Sequence, residues 1–271
     1  MYLHGVYTPA KQPKAIALIT HGYAEHADRY TPLVKMLTRH HISTYRYDHF
    51  GHGKSTGPRA QVNVNDLVRQ HYRVRQQIQE QHQLPLFLIG HSMGGLITAA
   101  STLAKPDGVA GVVLTGPALG INPSLPGPVA DALYEAGKLL PKIPASPFDP
   151  SGLSFDPKVV EHYKHDPLNY VGPVPLLTGS SMAALGKRVV ERAPHWSPDT
   201  LIIVGESDEI VDQKAIHEFQ QSAGKAQPAQ PNVDLMTIPA AKHEVLNEAE
   251  GPVLMALIAE WISQRCQADG K

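Results

Sequence analysis

Residues 86 to 95 run Leu86-Phe87-Leu88-Ile89-Gly90-His91-Ser92-Met93-Gly94-Gly95, and a helix-like stretch, Leu96-Ile97-Thr98-Ala99-Ala100, follows. An apolar strand that ends in Gly-x-Ser-x-Gly and passes into a helix turns a sharp corner with the serine at its apex. Glycine suits positions 90 and 94, because the corner is tight and neighbouring backbone passes close by. Such a turn lifts the Ser92 hydroxyl clear at the carboxyl edge of a sheet. The helix behind it aims unpaired N–H groups and a positive dipole end at the same point. The five-residue pattern alone is common; the strand before it and the helix after it give it meaning.

The chain that must house this corner has 271 residues, with 24 Lys+Arg against 25 Asp+Glu and a formal net charge of −1. No strong field gathers a polyanion, so nucleic acid is not an expected partner. The only cysteine, Cys266, excludes an intrachain disulfide and fits a reducing compartment. The N-terminal residues lack a basic and apolar leader, and no apolar run approaches the ~20 residues of a membrane span. The expectation is a cytoplasmic protein that still allows transient contact with lipid surfaces.

Strand-like and helix-like segments alternate: Ala15–Ile19, Pro32–Leu37, Ile42–Tyr47, Asn65–His82, Leu86–Ile89, Gly111–Leu114, Leu201–Val204, Asn232–Ile238 and Val253–Ile262. This order predicts an α/β fold with a mostly parallel central sheet and helices on both faces, and sites at the carboxyl ends of its strands. Between residues 117 and 194 the alternation breaks. Twelve of the 24 prolines fall in 117–175, too long a stretch for a plain connection. It contains two helix candidates, one with Val129, Ala132, Leu133, Ala136 and Leu140 at helical spacing, the other near 181–192 with Met182, Leu185 and Val189. The expected division is a core of residues 1–116 and 195–271 with a helical cap at 117–194. Val129, Leu133, Met182 and Leu185 are candidates to line an acyl tunnel, the plainer alternative being helices that pack onto the core.

A serine hydroxyl needs a base, and the base needs an orienting acid; in a fold of this kind the order is Ser, acid, His. Leu201-Ile202-Ile203-Val204-Gly205-Glu206-Ser207-Asp208 is a strand that ends in a loop with an acid. Asp208 is the first choice, with Glu206 and Asp212 as competitors. After the last strand, Ile238-Pro239-Ala240-Ala241-Lys242-His243 puts a histidine where the base must stand. His21, before a glycine at an earlier strand end, fits a loop-holding role better. Two N–H donors are also required for a tetrahedral intermediate, and Met93 and Tyr23 are placed to supply them.

With these residues in place the chain resembles the monoacylglycerol lipases of the α/β-hydrolase superfamily. The resemblance rests on His21-Gly22-Tyr23-Ala24-Glu25-His26 with Arg29-Tyr30, Asp48-His49-Phe50-Gly51-His52-Gly53-Lys54-Ser55, Gly90–Gly95, Tyr163-Lys164-His165-Asp166-Pro167-Leu168, Asp208 and His243-Glu244-Val245. It implies the α/β-hydrolase fold, a Ser92–Asp208–His243 triad, an oxyanion hole from Tyr23 and Met93, and a cap tunnel for the acyl chain. It implies no metal and no organic cofactor. Glu25 and Arg29 match positions that organise the glycerol end of the pocket, or else form a plain ion pair. Three departures stand out: the first strand of the family's N-terminal hairpin is not evident, position 246 is Leu where some relatives carry a second His, and Tyr23 is bulkier than the small residue often found there. The expected reaction is hydrolysis of a monoacylglycerol through an acyl-enzyme. Alternatives are a general carboxylesterase, a lysophospholipase, a peptidase of the same superfamily, or a non-catalytic receptor for an apolar ligand.

Overall fold

Side chains alternate across the central strands, and the alternation sorts the apolar residues into two cores, one on each face of a single sheet. The computed structural model describes residues 2–122 and 126–268. In chain order its elements are β1 (Gly5–Thr8), β2 (Ala15–Thr20), α1 (Thr31–Arg39), β3 (Ile42–Tyr47), α2 (Val64–Gln81), β4 (Leu86–His91), α3 (Met93–Ala104), β5 (Val109–Thr115), α4 (Gly127–Leu139), β6 (Pro144–Ser146), α5 (Pro157–His165), β7 (Val174–Pro175), α6 (Leu176–Glu191), β8 (Thr200–Gly205), α7 (Gln213–Ser222), β9 (Val233–Ile238) and α8 (Gly251–Ala268). Seven strands form the main sheet in the order β1-β3-β2-β4-β5-β8-β9. Only β1 runs antiparallel; every other neighbouring pair is parallel.

Ile16, Leu18, Leu88, Val112, Leu114, Ile202 and Val204 point into the core covered by α2, α3, α6 and α7. Their neighbours Ala17, Ile19, Phe87, Ile89, Val113, Leu201 and Ile203 point the other way, onto α1 and α8. This is the α/β-hydrolase fold. The edge strand β1 has no counterpart in the sequence reading, because a four-residue segment with half-exposed side chains carries no apolar run. Short β6 and β7, paired with each other away from the main sheet, and helix α5 were also not foreseen.

All parallel strands end at one edge. The turns after β2, β4, β5, β8 and β9 carry residues 21–26, 92, 116, 206–212 and 239–248, so residues far apart in the chain converge there. Between β5 and β8 lie α4, β6, α5, β7 and α6. Helix α4 packs on α6, and α6 in turn packs on α2, α3 and α7. The longest helix of this stretch therefore belongs to the core layer. Just after it, Trp196 is fully buried, donates its indole N–H to the Pro198 carbonyl and Thr200 Oγ1 at 2.9 Å each, and sits edge-on to Phe219.

Trp196→Ala is expected to cost about 3–5 kcal/mol of stability, since it empties an aromatic volume from a closed core and removes the two indole hydrogen bonds. Urea denaturation followed by far-UV circular dichroism measures this; a loss below about 1 kcal/mol would contradict the packing described.

Candidate active site

Ser92 sits between the last residue of β4 and the first of α3, with φ 52° and ψ −121°. A non-glycine residue holds that backbone only when its surroundings force it. Here the Ser92 N–H donates to the Thr115 carbonyl at 3.0 Å, and the Ser92 carbonyl accepts from Leu96 and Ala118 N–H at 3.1 and 3.0 Å. A Cβ on Gly94 would lie 2.1 Å from the Thr20 carbonyl oxygen, and one on Gly90 would lie 2.6 Å from the Gly94 oxygen. Glycine at both positions is thus a steric requirement of the corner.

His243 stands in the loop after β9, and its Nδ1–H donates to Asp208 Oδ2 at 2.7 Å. Both side chains are almost wholly buried. Asp208 Oδ1 accepts from Ile210 N–H at 2.9 Å and Val211 N–H at 3.3 Å, so the carboxylate is fully occupied. Burial alone would raise the Asp208 carboxyl, but the charge and hydrogen bond of His243, with the two amides, hold it below the usual range. Burial alone would lower His243; the Asp208 carboxylate and its hydrogen bond, helped by Glu244 and Glu25, lift it above the usual imidazole value. The competing acids are differently engaged. Asp212 caps α7 by accepting from Lys214 N–H at 3.0 Å, and Glu206 is exposed.

Ser92 and His243 border one cavity of about 360 Å³. Among the described residues no hydrogen bond joins the Ser92 hydroxyl to the imidazole. Contacts of this kind tighten on substrate binding. The Met93 N–H is the first of α3, where no intrahelical acceptor exists, and the Tyr23 N–H likewise has no backbone partner among the described residues. Gly22, next to Tyr23, approaches Ser92 so closely that a Cβ there would lie 3.1 Å from the Ser92 Cβ. The Tyr23 ring meets Phe148 and Tyr170 edge-on and forms part of the cavity wall.

His21 is buried away from this chemistry. Its Nδ1–H donates to the Gly22 carbonyl at 2.8 Å and its Nε2 accepts from His49 N–H at 3.0 Å, which holds the loop. Burial and neighbouring histidines keep it neutral, with its pKa well below the usual value.

The apolar part of the cavity wall is Ala118, Ile121, Phe148, Leu153, Val174, Met182, Ile210 and Val211, and polar residues such as Asn122, Asp149 and Glu209 line it as well. Of the four tunnel candidates only Met182 lines it. Val129 is 45% exposed on the outer side of α4. Leu133, half-buried on the same helix, does not reach the cavity, and Leu185 is buried in the core beneath α6. The helical spacing was real, but apart from Met182 it did not mark the cavity wall. Arg29 does not border the main cavity either, because its guanidinium is committed to Glu25 and Glu244. Glu25 does border it, with Oε1 accepting from Gly22 N–H and Tyr30 OH. Leu246 lies at a second, much smaller void with Arg29, Tyr30 and Met255. Phe148, Leu153 and Ile210 were invisible to the sequence reading because they sit on irregular segments without periodicity. Glu244 was within reach: an acid directly beside the histidine was a signal.

A strained serine and a buried Asp–His pair on one sheet edge, in this fold, define a serine hydrolase of the α/β-hydrolase superfamily. Residues 11–250 match the sequence model of the family described as serine aminopeptidase, S33, and the chain belongs to that family. It is 31% identical to a monoacylglycerol lipase of Mycolicibacterium smegmatis over 96% of this chain and 92% of the relative. It is also 31% identical to a monoglyceride lipase of Rattus norvegicus, over 97% of this chain and 87% of the relative. The crystal structure of a Paleococcus ferrophilus monoacylglycerol lipase superposes with a TM-score of 0.86 at 26% identity, covering 98% of this chain and 100% of that one. The chain is a serine ester hydrolase.

Gly116 has φ +47°, and a Cβ there would lie 3.1 Å from His243 Nδ1 and 3.3 Å from Asp208 Oδ2. Gly116→Ala is therefore expected to displace the pair and reduce kcat on p-nitrophenyl butyrate by about 10²-fold while the fold survives. Steady-state kinetics beside a thermal melt checks this; unchanged kcat would contradict the geometry.

Proposed function

We propose that the chain hydrolyses monoacylglycerols to fatty acid and glycerol through an acyl-enzyme on Ser92. The observation that carries this reading is the cavity itself. Ser92 and His243 line a cavity of about 360 Å³ together with eight apolar side chains, room for a single acyl chain, and no Lys or Arg is among its described lining residues. Its titratable lining groups are Tyr23, Glu25, His91, Asp149, Tyr163, Glu209, His243 and Glu244, so a phosphate-bearing head meets acids without a cation. An uncharged glycerol head meets hydrogen-bonding groups without that cost.

In the proposed cycle His243 Nε2 accepts the Ser92 hydroxyl proton as the oxygen attacks the ester carbonyl. The carbonyl electron pair moves onto oxygen, where the Tyr23 and Met93 N–H groups receive it. Collapse of this intermediate breaks the ester C–O bond, and His243 returns the proton to the departing glycerol oxygen. Water, deprotonated by the same imidazole, then attacks the acyl carbon, the bond to Ser92 Oγ breaks, and His243 returns the proton to Oγ as the fatty acid leaves. Asp208 holds the Nδ1–H tautomer and stabilises the imidazolium. Residues 117–194 act as a cap, to which Phe148, Leu153, Val174 and Met182 contribute the apolar wall. Outward-facing Val129, Leu139, Leu140 and Ile143 on and after α4 suit transient contact with lipid surfaces. No described helix is long and apolar enough to cross a membrane.

A fluorophosphonate probe followed by peptide mapping is expected to label Ser92 in the wild-type protein and nothing in Ser92→Ala, which also loses hydrolysis. Monoolein is expected to be cleaved more efficiently than lysophosphatidylcholine, p-nitrophenyl acetate or alanyl p-nitroanilide. Hydrolysis surviving in Ser92→Ala would overturn the nucleophile, and activity confined to acetate or to the anilide would overturn the lipase reading. A second expectation concerns pH. His243 must be neutral to act as base and its pKa is raised, so kcat/KM climbs through a midpoint above about 6.5. Asp208→Asn removes the charge that raises it and is expected to bring that midpoint down while lowering kcat by about 10⁴-fold. A pH–rate profile whose midpoint ignores Asp208→Asn would contradict the assignment.

A further inference from the structure

Beside the Asp208–His243 pair lies a buried ionic cluster that the proposed cycle does not use. Arg29 Nη1–H donates to Glu25 Oε2 at 2.5 Å and to Glu244 Oε1 at 2.6 Å, while Nη2–H donates to Glu244 Oε2 at 2.7 Å. Side-chain exposure is 13% for the arginine and 4% for each glutamate. Asn247 Nδ2–H completes Glu244 at 2.7 Å, and the guanidinium lies over the Tyr163 ring. Taking three charges out of water is costly, and apolar side chains of similar volume would serve stability as well.

The placement gives the cluster a different use. Glu25 Oε1 accepts the Gly22 N–H at 2.6 Å, one residue before the Tyr23 oxyanion donor. Glu244 directly follows His243, and its own N–H is held by the Leu153 carbonyl at 2.8 Å. The guanidinium thus ties the loop after β2 to the loop after β9. Two carboxylates against one cation also leave a formal charge of −1 beside the imidazole. The groups facing His243 are Asp208 from the β8 loop, His91 at the end of β4 with its ring 4.8 Å away, Glu244 on its own loop, and Glu25 with Arg29. Burial lowers the pKa of His91, which keeps it neutral, so the excess charge is that of the carboxylates.

We propose, on the footing of the catalytic cycle above, that Glu25, Arg29 and Glu244 are positioning residues: a brace that fixes the Tyr23 N–H against the His243 imidazole and supports the imidazolium with its unbalanced negative charge. Glu244→Gln keeps the shape and an acceptor for Arg29 but neutralises the cluster. Arg29→Lys keeps the charge but loses the two-pronged grip. In the full-length protein with p-nitrophenyl octanoate, Glu244→Gln is expected to lower kcat roughly tenfold, the equivalent of one pKa unit of imidazolium support, with KM within twofold. Its acid limb in kcat/KM moves to lower pH by about 0.5–1 unit, because a charge that raises His243 is gone. Arg29→Lys is expected to lower kcat by a similar factor with the limb where it was.

An unmoved limb in Glu244→Gln, or undiminished kcat in Arg29→Lys, overturns the proposal, as does a lowered melting temperature unaccompanied by either change. Fluorophosphonate labelling of the wild type separates the two levels. If Ser92 is labelled and the variants behave as wild type, only the brace fails; if Ser92 is not labelled, the cycle beneath it fails.

Discussion

The hydrogen bond from His243 to Asp208 is the contact on which the site depends, and it exists only because two adjacent parallel strands end together. Gly205 of β8 pairs with Ile238 of β9, and beyond that point Glu206 and Ser207 N–H donate to the Ile238 and Ala241 carbonyls at 2.9 Å each. A Cβ on Gly205 would lie 2.2 Å from the Lys242 carbonyl, so the two loops touch backbone to backbone. That proximity brings a carboxylate and an imidazole, 35 positions apart in the chain, to 2.7 Å. Leaving a buried carboxylate without partners would cost several kcal/mol. Asp208 avoids this through two amides and one ring N–H.

The same logic holds at Ser92. Its left-handed backbone is tolerable because Thr115, Leu96 and Ala118 take up its polar groups and because glycines on either side admit the passing chain. Strain at the corner and burial at the pair are both sustained by the sheet, whose two apolar cores fix where every strand ends. A rigid scaffold with its reactive groups on loops at one edge is what converts packing energy into chemical geometry. The segment between β5 and β8 braces these loops as well, for the Leu153 carbonyl accepts from Glu244 N–H at 2.8 Å and the Tyr163 hydroxyl donates to the Ala24 carbonyl at 2.8 Å.

Much of this was legible in the residues because it follows from local rules. Runs such as Leu86–Ile89 and Leu201–Val204 announce buried parallel strands, and Gly-x-Ser-x-Gly between strand and helix announces the corner. His243 stood out from its place after the last strand, whereas Asp208 shared its loop with Glu206 and Asp212. What periodicity could not supply was the direction of the helices between β5 and β8. Val129, Leu133 and Leu185 carry the helical spacing of a lining face, yet Val129 faces outward and Leu185 faces the core, since α6 belongs to the central layer. Phe148, Leu153 and Ile210 line the cavity from segments with no repeating pattern, and only tertiary contacts place them. Strand β1 escaped notice because an edge strand buries little and so needs few apolar residues. The pairing of Arg29 with Glu244 joins positions 215 residues apart, and no sequence rule reaches that far.

The buried Asp208 carboxylate holds His243 in one tautomer and raises its basicity. Nitrogen-15 NMR of the histidine-labelled protein, with His243 assigned by its loss in His243→Ala, reads both properties directly. The expected result is a neutral-state Nδ1–H tautomer with its proton far downfield and an imidazole that titrates above the ordinary histidine range. An Nε2–H tautomer, or an imidazole that titrates as in free histidine, would contradict it.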